Sequence, residues 1–455
     1  MFVGRESELK ALTEFMNAAE TKAATVYGRR RIGKTTLLRK AIVDAPGKTI
    51  FFEALDGRYE TNLNLLAKQV SDLLGAPLGS FQHHLDLFHT LQLYKEPLTI
   101  VIDEYQFLKQ SRTGNEVDSE FKQIIDQLPG NMKLILTGSH VTMMKELLEQ
   151  DNPLFGRFQL VMRVDELEYW QAQAFYPNLP VYDKACFHSV FGACPYILEN
   201  LNPALGLRDN IINMFVRQNG LARIYIEYIL FKEIGKVSIL NDILRVIGNG
   251  KVRYSQIENS LNLPSNGLLS KYLGMLQDMG LIASITPINK KNDRKKAYYA
   301  IADNLVRFYY TYIYPNGSSI IHLREEDFYD SHIKPSIGTF ISMRFESIVR
   351  DYLRIKVAEL EGTTPLDIGT FWYDDPKTKT NGEFDCAVRF DDHFSLYEAK
   401  FYTRPMSAAE MRAEAAQVGN AQGLGVIRLG FASVNGFEEA VDDYILIDGE
   451  DLYSL

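Results

Sequence analysis

Short apolar runs alternate with helical patterns over the first third of the chain. Runs of β-forming residues occupy positions 24–27, 49–52, 98–102, 133–137 and 160–164, and the stretches between them place apolar residues at helical spacing. Strands that alternate with helices are typical of a parallel sheet covered by helices on both faces. The pattern therefore predicts an α/β domain over residues 1–165.

The pattern changes further along the chain. Helical periodicity continues through 166–233, and residues 234–303 then hold three short helical segments followed by two β-like segments around a polar turn. Three helices and a hairpin predict a winged helix. An aromatic helical connector is expected at 304–333, and a second α/β pattern predicts a further domain at 334–455.

The polar turn at 290–296 has five basic residues in seven, on a chain whose net charge is −9. A wing pressed against DNA would use such residues to contact phosphates. A solvated hairpin tip, or a helical domain that docks onto another protein, explains the same turn. DNA is therefore a predicted partner with two alternatives left open.

The loop after the first predicted strand carries the strongest chemical signal. Residues 28–35 follow the pattern G-x-x-x-x-G-K-T, in which glycines let backbone N–H groups turn toward phosphates and the next helix presents the positive end of its dipole. Lys34 is expected to reach the β- and γ-phosphates, and Thr35 to coordinate Mg²⁺. The residues predicted to bind ATP with Mg²⁺ are Gly28, Arg29, Arg30, Arg31, Ile32, Gly33, Lys34, Thr35 and Thr36.

A second motif supports the first. The apolar run at 98–102 ends in Asp103 and Glu104, as a buried parallel strand with an active edge would. Asp103 is expected to coordinate Mg²⁺, and Glu104 to polarise the attacking water.

Ser139 follows the next strand and either senses the γ-phosphate or caps a helix. Arg157 either neutralises charge in the transition state or is a surface arginine.

Composition describes an ordinary soluble globular protein, with 46% hydrophobic and 24% charged residues over 455 positions. The first residues carry charges and no long apolar stretch, which predicts no secretory signal, no membrane contact and a cytoplasmic location. Three cysteines lie far apart without metal-ligand spacing, so neither a zinc site nor a disulfide framework is expected.

Five short motifs in this order resemble the archaeal-type ATPases of the AAA+/STAND branch of P-loop proteins. They are residues 2–6, 28–35, 102–106, 136–139 and 155–157. The resemblance implies that Val3, Gly4 and Arg5 lie beside the adenine, and that a helical lid at 166–233 approaches the nucleotide through residues 192–196. Ala193 departs from the Gly-Gly-x-Pro pattern of that family. Many such relatives insert an arginine into the nucleotide site of a neighbouring subunit, so a homo-oligomer is an expected partner. Arg157 is expected to act either in its own chain or in a neighbouring one.

Carboxylates are the informative residues of the last domain. Alternation over residues 382–390 predicts a strand with Glu383 and Asp385 on one face and Phe384, Cys386 and Val388 in the core. Alternation over 396–400 likewise sends Glu398 and Lys400 to one side. Asp385 and Glu398 would hold a divalent ion that activates water, while Lys400 orients or deprotonates the nucleophile.

The spacing D-x(12)-E-x-K resembles the PD-(D/E)xK restriction-endonuclease-like superfamily. By this resemblance, Glu346 supplies the acidic residue that the superfamily often adds from its first helix. Phe384 stands where that family has proline before the aspartate. A hairpin with a surface cluster of charges explains the same residues.

The sequence predicts an α/β P-loop NTPase sheet with a helical lid, a winged helix and a restriction-endonuclease-like α/β domain. Its function is expected to be ATP hydrolysis that moves these parts, with nucleic acid as target and an Mg²⁺-dependent nuclease domain. The rival interpretation is an ATP-gated switch whose third domain is an inactive scaffold for protein partners.

Overall fold

The computed structural model describes residues 1–230, 238–248, 250, 252–264, 266–290, 297–375, 380–418 and 426–455. These residues form two compact units, Met1–Leu167 and Glu168–Leu455. Within the basic turn expected to contact DNA, residues 291–296 lie outside the described residues.

The first unit is built on a five-stranded sheet in the order β2-β3-β4-β1-β5, with all neighbouring strands parallel. The strands are β1 (Ala23–Tyr27), β2 (Lys48–Glu53), β3 (Leu98–Asp103), β4 (Met132–Gly138) and β5 (Leu160–Arg163). The helices are α1 (Glu6–Asn17), α2 (Lys34–Ala41), α3 (Tyr59–Leu74), α4 (His84–Leu91), α5 (Tyr105–Gln110), α6 (Glu116–Gln127) and α7 (Val141–Glu146), and Ile42–Asp44 forms a 3-10 turn.

Burial on both faces explains why the three central strands read as continuous apolar runs. Every residue of β1, β3 and β4 is buried. One apolar layer packs α3, α4 and α6 on one face, and a second layer packs α1 and α2 on the other. Strands enclosed in this way need no alternation of polar residues, so apolar runs bounded by turns are their sequence signature. The predicted α/β sheet is confirmed.

A buried polar network joins α3, α4 and α6 in this unit. The Tyr59 hydroxyl donates to the two Glu120 carboxylate oxygens at 2.9 and 2.7 Å, and the Leu85 amide donates to Glu120 at 3.1 Å. Nδ1 of the buried His84 lies 3.8 Å from the same carboxylate. Burial by itself would raise the pKa of Glu120, but His84, Tyr59 and the Leu85 amide outweigh it and lower that pKa to about 2.

We expect this network to stabilise the first unit at neutral pH and to lose that effect in acid. A carboxyl with a lower pKa in the folded state contributes stability above its unfolded pKa of about 4.3, and loses it as pH falls toward the folded value. Glu120→Gln should therefore lower the melting temperature at pH 7 by several degrees, since each kcal/mol shifts it by about 2–4 °C in domains of this size. Melting curves at decreasing pH should show the gap from wild type closing.

The control for this prediction is Glu116→Gln, an exposed change in the first turn of the same helix. It should leave the melting temperature near that of wild type at every pH. A gap between wild type and Glu120→Gln that stays constant down to pH 2 would contradict the assigned role of the Glu120 charge.

The second unit begins with short helices. Its helices are α8 (Tyr169–Ala172), α9 (Val181–Phe191), α10 (Pro195–Leu198), α11 (Leu207–Ile211), α12 (Leu221–Ile224), α13 (Ser238–Gly248), α14 (Tyr254–Ser260), α15 (Leu268–Asp278), α16 (Asn304–Phe308), α17 (Ser319–His322), α18 (Glu325–Phe328), α19 (Ile337–Glu361), α20 (Ala408–Val418) and α21 (Gly449–Tyr453). Wider π-helical turns occupy Ile212–Val216, Tyr225–Leu230, Tyr309–Ile313 and Tyr329–Ile333, and 3-10 turns occupy Gln173–Phe175, Ile288–Lys290 and Tyr314–Asn316.

Two sheets complete this unit. An antiparallel hairpin of β6 (Ile282–Ile285) and β7 (Tyr298–Ile301) follows α13, α14 and α15. The second sheet has the order β12-β11-β10-β9-β8. Its strands are β8 (Asp367–Asp375), β9 (Thr380–Arg389), β10 (Phe394–Lys400), β11 (Val426–Ser433) and β12 (Ile445–Asp448). Three helices and a hairpin follow one another as in the predicted winged helix, which stays a prediction. The separate carboxy-terminal α/β sheet is present as predicted.

A bulge in β9 overturns the predicted alternation of that strand. Gly369 pairs with Ala387 and Phe371 pairs with Phe384, so β9 has one more residue than β8 between these two pairs. An extra residue reverses which face the following side chains point to. Cys386 and Val388 therefore pack on the α19 side, while Phe384 joins the apolar cluster on the other face. All three are buried as predicted, but the predicted alternation, which puts them on one face of the strand, was wrong.

No helix among the described residues has both the length and the apolar content needed to cross a membrane.

Candidate functional site

Three strands of the first sheet end beside one another and bring the predicted nucleotide residues to one edge. The loop at 28–33 follows β1, Ser139 follows β4, and Glu104 follows β3, with β4 lying between β1 and β3. The Gly28 amide donates to the Gly138 carbonyl at 3.3 Å and ties the loop to the end of β4. In open α/β sheets, ligands bind at this carboxyl edge of the strands.

Two glycines are needed for the path of the loop. A β-carbon at Gly28 would lie 2.1 Å from the carbonyl oxygen of Val164, so no larger residue fits there. Gly33 has φ +95° and caps α2, a conformation that glycine adopts without strain. The first turn of α2 therefore directs its free N–H groups toward the loop, as an anion site requires.

Lys34 and Thr35 begin α2 and point to the same edge. The buried Lys34 ammonium donates to the carbonyl oxygens of Gly28 and Arg29 at 2.7 and 2.8 Å. The Thr35 hydroxyl donates to a carboxylate oxygen of Asp103 at 2.9 Å. Burial raises the pKa of Asp103 above its ordinary value, and the Thr35 hydroxyl acts in the opposite direction.

The hydroxyl and carboxylate of this pair fit an Mg²⁺ ion. Mg²⁺ is commonly held by one or two protein oxygens together with substrate phosphates and waters. Thr35 and Asp103 supply those oxygens beside the loop, and a buried carboxylate with a raised pKa gains from a neighbouring cation.

Glu104 is held in place by two polar side chains, Gln106 on α5 and Ser139 just after β4. Its backbone is left-handed, with φ +55°, at the point where β3 ends and α5 begins. Gln106 donates to the Glu104 carboxylate, and the Ser139 hydroxyl donates to the same oxygen at 2.8 Å. Arg30 from the loop donates to Ser139 at 3.2 Å. One chain of hydrogen bonds thus connects the loop to Glu104.

The other basic residues near the loop make structural contacts. Arg29 forms an ion pair with Glu166 at 2.6 Å. Arg5 follows Gly4 in a left-handed conformation and donates to the backbone carbonyls of Ile32, at 3.3 Å, and Asp165. The amino-terminal motif is therefore fastened to the loop through Arg5. That Val3, Gly4 and Arg5 lie beside the adenine stays a prediction.

Arg157 lies at the other edge of the sheet. It precedes β5, and nearby Gln159 bonds to the backbone of Lys22 and Ala23 at the start of β1. Its guanidinium Nε lies 2.7 Å from Asp126 near the end of α6. The loop follows the opposite end of β1, so the prediction that Arg157 reaches a nucleotide in its own chain does not fit this position. A role in a neighbouring chain remains a prediction.

The residues predicted to cut nucleic acid lie on α19 and on the neighbouring strands β9 and β10, which pair with Cys386 opposite Tyr397. Glu346 on α19 and Asp385 on β9 line one large cleft, and Glu398 and Lys400 are not among its described lining residues. Glu398 instead lines a small pocket beside α20 with Phe384 and Glu414. Burial is the main cause that raises the pKa of Glu398. The charge of Asp385 adds to this increase, so Asp385 lies close enough to act on Glu398.

Lys400 is engaged by two carboxylates. Its ammonium lies 2.8 Å from Glu398 and 2.9 Å from Glu414 on α20. Burial works against its charge, but Glu398 and Glu414 outweigh burial and raise the pKa of Lys400 above its usual value. A lysine held protonated in this way is a poor base for deprotonating water.

Metal binding by the second unit stays a prediction. Among the described residues, no group of three or more His, Cys, Asp and Glu side chains is placed to hold a metal ion. The ammonium of Lys400 donates to the carboxylate of Glu398 that was predicted as a ligand.

Comparisons with known proteins agree with the first site. Residues 2–200 match the family described as "ATPase domain predominantly from Archaea", and residues 309–413 match the family described as "Archaea bacterial proteins of unknown function". The amino-terminal segment is thus an ATPase domain of the archaeal P-loop type.

Similar whole proteins carry little further information. The uncharacterized protein MJECL04 of Methanocaldococcus jannaschii is 28% identical over 82% of each chain. The Walker-type ATPase paby2304 of Pyrococcus abyssi is 20% identical, with a TM-score of 0.48 over 68% of this chain and 96% of that one. The ORC2 protein of Aeropyrum pernix, solved with ADPNP and ADP, is 14% identical, with a TM-score of 0.45 over 74% and 93%.

Sequence reasoning missed several residues of both sites. Gln106 lies two positions after Glu104, and Glu414 lies on a helix that follows β10, so neither belongs to a recognised pattern. A signal did exist for Arg157, because a residue just before a parallel strand must lie at the edge opposite the loop.

Proposed function

We propose that this chain is an ATP-driven switch that acts on, or is regulated by, nucleic acid. The observation that carries the proposal is the Thr35–Asp103 contact beside the glycine loop, with Glu104 oriented at the end of the same strand. Phosphoryl transfer needs positioning and charge neutralisation more than covalent help from the protein. These residues supply both.

Each residue has a distinct role in the proposed reaction. The amides of the 28–33 loop and of the first turn of α2 bind the phosphates, and Lys34 exchanges its carbonyl contacts for the β- and γ-oxygens. Thr35 and Asp103 would hold Mg²⁺, which would supply charge neutralisation at the phosphates. Glu104 orients the attacking water. Ser139 links Glu104 to Arg30, so that a change in the loop is transmitted to Glu104.

Support for a nucleic-acid target comes from the second unit and from the sequence. Three helices precede a two-stranded hairpin, and the segment between its two strands is strongly basic in sequence. Local basic groups on an acidic protein favour binding to phosphates at one place rather than over the whole surface.

A second candidate function replaces cleavage by binding in the carboxy-terminal domain. The observation that favours it is the pair of ion contacts that holds Lys400 between Glu398 and Glu414. In this reading the domain is nuclease-like in its fold and serves as a docking module whose position depends on the nucleotide.

We expect the wild-type chain to leave plasmid and single-stranded nucleic acid uncut in Mg²⁺ or Mn²⁺. Lys400→Ala should also lower the melting temperature by several degrees, since it leaves two partly buried carboxylates without their shared cation. The matched control is Lys356→Ala, which removes a lysine ion-paired to Glu359 on α19. Metal-dependent nicking by wild type that Lys400→Ala abolishes would reinstate the nuclease.

The experiment that tests the leading proposal measures ATP hydrolysis by wild type and Lys34→Ala, with and without single-stranded DNA or RNA. Hydrolysis that requires Lys34 and changes with nucleic acid supports both the ATPase site and the nucleic-acid target. Hydrolysis that nucleic acid never alters would reject the proposed target, and no heat on mixing with Mg·ATP would reject the switch itself.

A further inference from the structure

Four polar side chains form a connected set of hydrogen bonds at the carboxyl edge of the first sheet, and we call them the Glu104 network. They are Arg30, Glu104, Gln106 and Ser139. The Gln106 amide nitrogen donates to a carboxylate oxygen of Glu104 and, at 3.2 Å, to the Ser139 hydroxyl. Ser139 donates to the same Glu104 oxygen at 2.8 Å, and Arg30 donates to Ser139 at 3.2 Å.

The chemistry of the groups fixes the direction of each bond in the Glu104 network. A guanidinium and an amide nitrogen only donate, so Arg30 and Gln106 use the two acceptor positions of the Ser139 hydroxyl. The single hydroxyl proton of Ser139 is then left for Glu104. A reversed amide at Gln106 would place its oxygen against the Glu104 carboxylate, so only the observed orientation suits an ionised Glu104.

The network also decides which oxygen of Glu104 is available to a water molecule. Gln106 and Ser139 both donate to Oε2, whereas Oε1 accepts no hydrogen bond from the described residues. The last side-chain torsion of a glutamate is broad and roughly two-fold, so rotamer preference alone does not fix the plane of the carboxylate. Two donors on one oxygen do fix it, and they leave Oε1 as the oxygen that can accept a hydrogen bond from water.

The position of Gln106 is unfavourable for stability. Its residue surface is only 2% exposed, and its amide oxygen is buried without a hydrogen-bond partner among the described residues. This oxygen packs against Gly138, where a β-carbon would lie 2.5 Å from it. A buried acceptor without a partner destabilises the folded state. An amide kept in such a place calls for a reason other than packing.

We propose that Gln106 is a positioning residue, which fixes the Glu104 carboxylate so that Oε1 receives the attacking water. This inference rests on the proposed ATP hydrolysis and deepens it. Gln106 belongs to neither the phosphate loop nor the pair of carboxylates at the end of β3. It acts through Glu104 alone, so its loss should slow turnover without changing the affinity for ATP.

The test compares wild type with Gln106→Met, which nearly preserves the length and volume of the side chain and removes its amide. The kcat of ATP hydrolysis should fall about tenfold to 100-fold, because misplacing a reacting group by about 1 Å lowers the rate by up to about 100-fold. Calorimetry should show Mg·ATP affinity within about threefold of wild type. The melting temperature should equal or exceed that of wild type, since the variant also removes a buried unpaired acceptor.

Gln110→Met is the matched control, because it makes the same change at an exposed position of the same helix. Its kcat, affinity and melting temperature should all stay close to those of wild type. Gln106→Leu removes the same amide with a branched apolar side chain and should repeat the loss of kcat. It decides the matter if Gln106→Met does not fold.

A double variant shows whether Gln106 acts through Glu104. In the Glu104→Gln background, the further change Gln106→Met should alter the single-turnover rate of hydrolysis by less than about twofold, because the carboxylate that Gln106 positions is already absent. Residues that act through one another give non-additive effects, whereas independent residues give effects that add. A further tenfold loss in the double variant would contradict the proposed role.

Two more results would reject the positioning role. One is a wild-type kcat in Gln106→Met, and the other is a lower melting temperature together with weaker ATP binding, which is the behaviour of a structural residue. The Glu104→Gln variant separates this inference from the proposed function. A loss of kcat in Glu104→Gln without one in Gln106→Met rejects only the role of Gln106, and full activity in Glu104→Gln rejects the proposed reaction itself.

Discussion

Lys34→Ala should reduce ATP hydrolysis by about 100-fold or more while the chain remains folded. Lys34 is buried at the start of α2, and its ammonium already bonds to two carbonyls of the loop that would surround the phosphates. Removing one donor that stabilises developing charge typically costs about 100-fold to 1,000-fold in rate. The measurement is steady-state phosphate release, together with calorimetric titration by Mg·ATP, which should show a large loss of affinity.

The control for Lys34→Ala is Lys40→Ala in the last turn of the same helix. It removes the same charge at an exposed position, so hydrolysis should stay within about twofold of wild type. Equal rates for wild type and Lys34→Ala would mean that the loop is not the site of hydrolysis.

Glu104→Gln should retain ATP binding and lose hydrolysis. The amide oxygen of glutamine can still accept from Gln106 and Ser139, so the local hydrogen bonds survive, but the charge that polarises water is gone. A general base contributes typically about 100-fold to 10,000-fold, which is the expected fall in kcat. Calorimetry should show Mg·ATP affinity within about threefold of wild type.

Glu53→Gln is the matched control for Glu104→Gln. Glu53 is an exposed carboxylate at the end of β2, paired in register with Asp103 on the neighbouring strand. Its loss should leave kcat unchanged. If Glu104→Gln turned over ATP as fast as Glu53→Gln, the water-activating role would have to be assigned to another residue.

The two candidate sites differ in how far sequence could predict them. Residues 28–35 and 103–104 are contiguous patterns at strand ends, and parallel strands bring such ends to one edge. Asp385, Glu398 and Lys400 depend on strand register instead. One extra residue in β9 reversed the faces of the side chains after it, and no local pattern marks that bulge.

Partners from distant segments were also beyond local reasoning. Lys400 was predicted to orient or deprotonate a nucleophile, but Glu398 and then Glu414 on α20 pair with it and raise its pKa. The cleft that holds Glu346 and Asp385 likewise combines Arg307 of α16 with residues of α19 and β9. Pairings over such separations depend on how helices pack on the sheet.

The sequence by itself determined the parallel sheet and the glycine loop, because apolar periodicity and backbone freedom act within a few residues. Tertiary structure alone decided that Gln106 and Ser139 hold Glu104 and that Lys400 is bound between carboxylates. Each of these outcomes depends on which distant groups become neighbours when elements pack, and burial then sets the strength of their charges.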